Sequence, residues 1–155
     1  MPQLVKGGKY VFGWSKINPN GKIKIPEEAS SEYKIEINEN LIIFNGSKKS
    51  GGFGVSKPET LKSSPIGSLL KDLPKLIKFE IPEGQIIKHR NRKFCWTNVN
   101  EHGYFILSSE ALKTYDLKIG NKLIVGRGSY LAIAFIAKGP IFEEAKKHSK
   151  LILFE

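Results

Sequence analysis

Along this chain, apolar side chains fall at every second position for a few residues, and then Gly, Pro or Asn breaks the alternation. Lys9 to Ile17 carries Tyr10, Val11, Phe12 and Trp14, aromatic and β-branched residues that read as a strand. Asn18-Pro19-Asn20-Gly21 follows as a strong hairpin turn. Ile23 and Ile25 then alternate with Lys22 and Lys24, which suits a strand with one wet face. Pro26-Glu27-Glu28-Ala29 opens a helix, with proline at its first position and acids near its positive end, and this helix ends about two turns later near Tyr33. Leu41-Ile42-Ile43-Phe44 is a continuous apolar run, the pattern of a buried strand, and Phe53 to Val55 gives another. A second helix is expected after Pro58, and a final short strand over Leu76-Ile77-Lys78-Phe79.

The whole series then recurs. Gly13 to Ser47 aligns without a gap on Cys95 to Ser129 at an offset of 82, matching Trp14 to Trp96, Gly21 to Gly103, Ala29 to Ala111, Tyr33 to Tyr115, Leu41-Ile42 to Leu123-Ile124 and Gly46-Ser47 to Gly128-Ser129. Pro58 meets Pro140 at the same offset, and further on the offset drops to 75, where Lys75 to Glu80 matches Lys150 to Glu155. In the second copy Asn100-Glu101-His102-Gly103 replaces the turn, and Ser108 and Ser109 replace proline as helix caps. Phe105 and Leu107 repeat the alternation, Leu123 to Val125 the buried run, Tyr130 to Ala137 the following strand and Leu151 to Phe154 the last one. The expected class is mainly β with short helices, in two repeats, residues 1–80 and 81–155. A unit of this length buries little surface alone, so the two are expected to close one pseudo-symmetric body.

Composition adds three constraints. At 155 residues, 40% hydrophobic and 26% charged, the chain can bury a core and has no disordered composition. No apolar run approaches the roughly 20 residues of a membrane helix, and no secretory leader is visible, so a cytoplasmic location without membrane association is expected. Cys95 is the single cysteine and has no zinc-type spacing with His89, His102 or His148, so neither a disulfide nor a metal site is expected. The net charge is +10, and counting Lys and Arg against Asp and Glu assigns +5 to each repeat. Such charge favours a polyanionic partner; a lysine-rich solvated surface is the alternative.

In both copies the residues arrange as strand, turn glycine, alternating strand, short helix, tyrosine and apolar run. In the first these are Gly21 to Ala29, Tyr33 to Ile37 and Leu41 to Ile43; in the second, Gly103 to Leu112, Tyr115 to Asn121 and Leu123 to Val125. This arrangement resembles the AbrB/MazE/SpoVT family of swapped-hairpin barrels. The resemblance implies a pseudo-twofold barrel made of two β-β-α-β-β repeats in one chain. It also implies a prokaryotic, AbrB-type transcriptional regulator that docks a basic face on duplex DNA. Lys22 keeps the basic residue that the family's DNA readers place after the turn glycine, and Tyr104 stands there in the second copy.

The candidate DNA-binding residues are Lys16, Lys22, Lys24, Arg90, Arg92, Lys93 and Lys113, with His89 beside them. Lys16 and Lys22 bracket a turn and are placed to straddle a phosphate backbone; Arg90 and Arg92 share a strand face at period two, with a charge-protected sheet edge as the alternative. Gly46 to Gly54 is the most distinctive local segment. Its glycines permit left-handed backbone that turns amides inward, so Ser47, Lys48, Lys49, Ser50, Gly51 and Gly52 could form an anion nest for a small phosphate ligand, or simply a hairpin loop. Its counterpart, Gly128 to Ala132, is apolar and reads as buried. Trp14 and Trp96 read as core rather than as stacking platforms, and Cys95 as an inert buried thiol. No nucleophile, base or paired-carboxylate arrangement stands out, so neither catalysis nor a cofactor is expected. A homo-oligomer remains open.

Overall fold

The computed structural model describes residues 11–128 and 131–155. The chain is mainly β, with ten strands and six short helices among these residues. In order they are β1 (Val11–Lys16), β2 (Lys22–Lys24), α1 (Glu27–Glu32), β3 (Asn40–Asn45), β4 (Phe53–Ser56), α2 (Pro58–Lys62), α3 (Gly67–Leu70), α4 (Pro74–Ile77), β5 (Ile87–His89), β6 (Arg92–Asn98), β7 (Tyr104–Ile106), α5 (Ser109–Thr114), β8 (Lys122–Arg127), β9 (Ile133–Ile136), α6 (Pro140–Ala145) and β10 (Leu153–Phe154). Eight strands form one sheet in the order β10-β1-β8-β9-β4-β3-β6-β5, and β2 pairs with β7 in a separate ladder. The large sheet does not close on itself; β10 and β5 are its edges.

The tight turn after β1 does not make a hairpin. Asn18 and Gly21 close it with backbone bonds to Lys22 and Asn18, yet β1 pairs with β8 and β10 while β2 pairs with β7. The same holds in the second half, where β6 pairs with β3 and β5. The registers correspond. Trp14 lies opposite Ile124 and Trp96 opposite Ile42, which is the same pair with the residues of the two copies exchanged. Ser15 and Thr97, the equivalent buried polar positions, each bond across to the small ladder, to the carbonyls of Lys24 at 2.7 Å and Ile106 at 3.2 Å. These bonds satisfy hydroxyls that would otherwise be costly inside the core.

Side-chain alternation divides the apolar residues between the two faces of the sheet. Inward positions of β1, β3, β6 and β8 join Ile23 and Phe105 of the ladder in the main core, with Phe53 stacked on Phe135 at 4.8 Å and Phe105 edge-on to both. On the outer face, α2, α3 and α4 cover Ile42, Phe44 and Phe94, and α6 with the C-terminal segment covers Ile124 and Ile136. The helices span four to six residues; a proline or serine opens or caps each except α3, which begins at Gly67, and Ser108 caps α5 by accepting from the Ala111 amide at 3.0 Å.

Further sequence expectations change. Leu76 to Phe79 is not a strand: Pro74 opens α4, and its apolar residues pack on the outer sheet face. Only Leu153–Phe154 is extended, and the residues matched to it at offset 75, Lys78 and Phe79, follow directly after α4. The offset of 82 also slips to 80 within the β4 and β9 hairpins, where Phe53 lies opposite Phe135 and Val55 opposite Ile133, because the second loop is two residues shorter. Arg90 and Arg92 do not share a strand face. Arg90 and Asn91 both have positive φ, 47° and 65°, and form the two-residue turn between β5 and β6. Leu131 is 63% exposed where a buried apolar loop is expected, although Ala132 beside it is buried; Ser129 and Tyr130 lie outside the described residues.

Candidate nucleic-acid interface

The β2 and β7 ladder places Ile23 opposite Phe105, both buried, so the flanking residues face outward. Lys22 lies opposite Ile106 and Lys24 opposite Tyr104. Both ammonium groups gather on the Tyr104 ring, Lys22 Nζ at 4.3 Å and Lys24 Nζ at 5.1 Å from its centroid. Lys24 also donates to the His102 carbonyl, and the Tyr104 hydroxyl donates to the Glu155 carbonyl at 2.6 Å. The ring therefore holds two cations near one another on an outward surface. Exchanging the copies would put Tyr104 for Lys22 and Ile106 for Lys24, so this charge belongs to the first repeat alone.

The other candidates divide between different places. Lys113 is exposed on α5, which begins three residues after β7 ends. Lys16 ends β1 directly opposite Lys122 of β8. Arg92 and Lys93 begin β6, whose seven residues put them about 20 Å along the strand from the end that leads to the ladder. There Asn45 fixes them, its side-chain oxygen accepting from the Lys93 amide at 2.9 Å. Arg90 and His89 reach Asp72, at 3.9 and 2.9 Å, and so join β5 to the helical cover of the sheet. The seven candidates thus form no single patch.

Most of the Gly46 to Gly54 loop is accounted for by local folding. The Gly51 amide donates to the Ser47 carbonyl at 2.8 Å, and the Ser50 amide to the Ser47 hydroxyl at 3.1 Å, which leaves neither pointing at a ligand. Gly51 and Gly52 have φ of 61° and 63°, and Gly52 passes so close to β9 that a Cβ there would lie 1.9 Å from the Phe135 carbonyl oxygen. Ser47, Ser50 and Gly51 nonetheless share a cavity of about 180 Å³ with Arg92, a juxtaposition that the linear sequence does not reveal. Lys48 and Lys49 project into solvent.

Two buried ionisable groups, Cys95 and Tyr115, lie side by side in the main core. Burial holds the Cys95 thiol up at about 12, against the Tyr115 hydroxyl at 3.8 Å, and the same burial pushes Tyr115 well above its ordinary range. Tyr115 donates to the Lys93 carbonyl at 2.9 Å. Arg127 grips Glu32 with bonds of 2.6 and 2.7 Å, which lowers that carboxyl and fastens α1 to β8. Glu110 accepts from the Ile86 amide at 2.6 Å, a backbone role consistent with its place at a helix start. Among the described residues no three His, Cys, Asp or Glu side chains are grouped to hold a metal ion, and no helix is long and apolar enough to cross a membrane. Sequence reading passed over Lys122, Lys146 and His148, which gather around Trp14 in a groove beside β1. The signal was spread over residues more than 100 positions apart, and only the strand pairing brings them together. No family model fits the chain, and no curated protein matches it in sequence.

Proposed function

We propose that the chain is a DNA-binding transcriptional regulator of AbrB type, in which two β-β-α-β-β repeats interlock as a pseudo-twofold swapped-hairpin barrel. The observation that carries this reading is the exchange of strands: β1 and β6 each pair with the third strand of the other repeat, and β2 pairs with β7 across the middle. In the family resembled, that arrangement joins two chains, and the surface beside the turn glycines meets DNA. Here the corresponding outward surface carries Lys22 and Lys24 around Tyr104, with Lys113 on the helix that follows, suited to phosphate contact. Such contacts release counterions, so each one adds nearly one unit to the salt dependence of binding.

The test is fluorescence anisotropy on a mixed-sequence duplex at several salt concentrations. Lys22→Ala should lower the slope of log affinity against log salt by about one, and Lys75→Ala, on the exposed side of α4, should leave it unchanged. Equal slopes for both variants, or no duplex binding at low salt, refute the interface. A second reading, a barrel that senses a small anion, draws on the cavity that joins Arg92 to Ser47 and Ser50. Phosphate that shifts the amide resonances of residues 47–52 in the absence of any duplex binding would favour it.

A further inference from the structure

The two halves of the sheet differ most where one is closed and the other open. In the first, Trp96 lies under the cover formed by α3, α4 and the segment after them: its ring meets Phe79 at 5.2 Å and its indole N–H donates to the Ile81 carbonyl at 2.8 Å. The second cover, α6 and the chain up to β10, is about seven residues shorter. Trp14, the equivalent residue, packs edge-on against Phe142 at 5.2 Å, but its indole N–H has no acceptor among the described residues and no buried polar atom is left unpaired. That N–H therefore opens to solvent, on a groove of about 590 Å³ between β1, β8 and α6.

Lys122 and Lys146 line this groove, and Lys16 stands beside it on β1. Lys16 and Lys122 lie directly opposite each other on the face that carries Trp14, and neither has an ion-pair partner among the described residues. Like charges in that position repel. The equivalent pair in the closed half is Asn98 and Asn40, which are neutral and joined by a hydrogen bond of 2.8 Å. Lys146 and His148 complete the lining; Lys146 pairs with Glu143 at 3.3 Å in an exposed, weak contact and lies 5.1 Å from the Phe142 ring centroid, and His148 reaches Glu144 at 3.8 Å. One half thus holds a filled cover and a satisfied amide pair. The other holds a groove beside Trp14 and two lysines without carboxylate partners, one of them, Lys122, with its Nζ 5.9 Å from the Trp14 ring centroid.

We propose that this groove binds a nucleotide, as a free mononucleotide or as one residue of a single strand. Its requirements are an anion that draws Lys122 off the Trp14 ring toward Lys16, a flat apolar ring that takes its place against Trp14, and an acceptor for the indole N–H. A nucleobase supplies the ring and, through a ring nitrogen or carbonyl oxygen, the acceptor; its phosphate supplies the anion. Trp14 and Lys16 are two residues apart on one strand face, about 7 Å, a distance that ribose spans between base and 5′-phosphate. The groove is also within the size range of small-molecule sites. This site is separate from the Lys22 and Lys24 surface, so the two proposals fail independently.

The chain has two tryptophans, and hence two indole N–H resonances in ¹⁵N-correlated spectra, which Trp14→Phe assigns. Titration with adenosine, guanosine, cytidine and uridine 5′-monophosphates should move the Trp14 resonance saturably for at least one of them and leave the Trp96 resonance in place. The matching nucleoside and inorganic phosphate should each bind at least tenfold more weakly. Replacing both lysines, Lys16→Gln with Lys122→Gln, should lower nucleotide affinity at least tenfold without lowering the melting temperature, because a repulsive pair is removed. A six-nucleotide single strand of the preferred base distinguishes the sources: at least tenfold tighter binding than the mononucleotide assigns the site to a strand, and a smaller gain assigns it to free nucleotide. No saturable movement of the Trp14 resonance at about 10 mM nucleotide, a range that still reports weak binding, overturns the proposal. So does inorganic phosphate that binds as well as the nucleotide.

Discussion

Gly51 and Gly52 are neighbours in one loop, with almost the same backbone angle, yet the structure assigns them different costs on substitution by alanine. Both sit at positive φ, so either alanine incurs the left-handed penalty of about 1–2 kcal/mol. At Gly51 little else is added, since a Cβ would meet only the Lys138 side chain and the Ala137 methyl, at 3.4 to 3.5 Å. At Gly52 the Cβ would lie 1.9 Å from the Phe135 carbonyl oxygen, and about 3.0 Å is the closest that real contacts permit, so loop and β9 must separate by about 1.1 Å. That movement strains the pairing of Phe53 with Phe135 at the start of β4, where backbone hydrogen bonds contribute about 1 kcal/mol each, and loosens the stacked rings of the same two residues. Gly52→Ala should therefore cost at least about 2 kcal/mol more than Gly51→Ala. Urea denaturation followed by circular dichroism measures both, read as midpoint shifts at constant slope. Equal losses would refute the close approach of loop and strand, and a nearly silent Gly52→Ala would refute the loop conformation itself.

A fragment of residues 1–80 should not form a folded monomer, because β1, β2 and β3 all lack partners that lie in the second half; sedimentation with circular dichroism checks this, and only a homodimer is compatible with the pairing. Cys95, held at about 12 when folded, keeps its proton where the unfolded thiol near 9 would lose it, so it contributes stability below about pH 9 that declines as the pH rises from there toward 12. The decline should therefore be shallower in Cys95→Ala between pH 9 and 10.5, and the native thiol should resist disulfide reagents at pH 8 until denaturant is added; rapid labelling of the native protein would contradict its burial.

Local patterns located most elements within a residue or two, since the alternation at Ile23 and Ile25, the Pro26 and Ser108 helix starts and the apolar run at Leu41 each follow from neighbours in sequence. The duplication added something that periodicity lacks, the expectation that equivalent residues occupy equivalent places; Trp14 with Trp96 and Ser15 with Thr97 follow it. What could not be read was which strands pair. Asn18 to Gly21 has the composition of a hairpin turn, and nothing local says that β2 leaves its neighbour for β7. The error at Leu76 to Phe79 has a related origin, because the apolar residues there fit either period and the tertiary surface decided between them. Of the candidate site, the individual cations were legible. Their division among the ladder, the Asn45 corner and the groove beside Trp14 was not, since it depends on contacts between residues far apart in the chain.

Strand exchange also bears on the order of events during synthesis. Trp14 is paired with Ile124, 110 residues later, and with Leu153 beyond that, so the first strand of the sheet leaves the ribosome long before either neighbour exists. At 5 to 20 residues per second that interval lasts about 6 to 22 s. Throughout it β1 presents unpaired edges and an apolar face, as do β2 and one edge of β3 until β7 and β6 emerge, the features that promote association between unfinished chains. Pairing over such separations also slows folding once the chain is complete, because distant segments must meet before any ladder forms. The nascent first repeat therefore depends on rapid completion of the second, or on a chaperone that shields strand edges until it arrives.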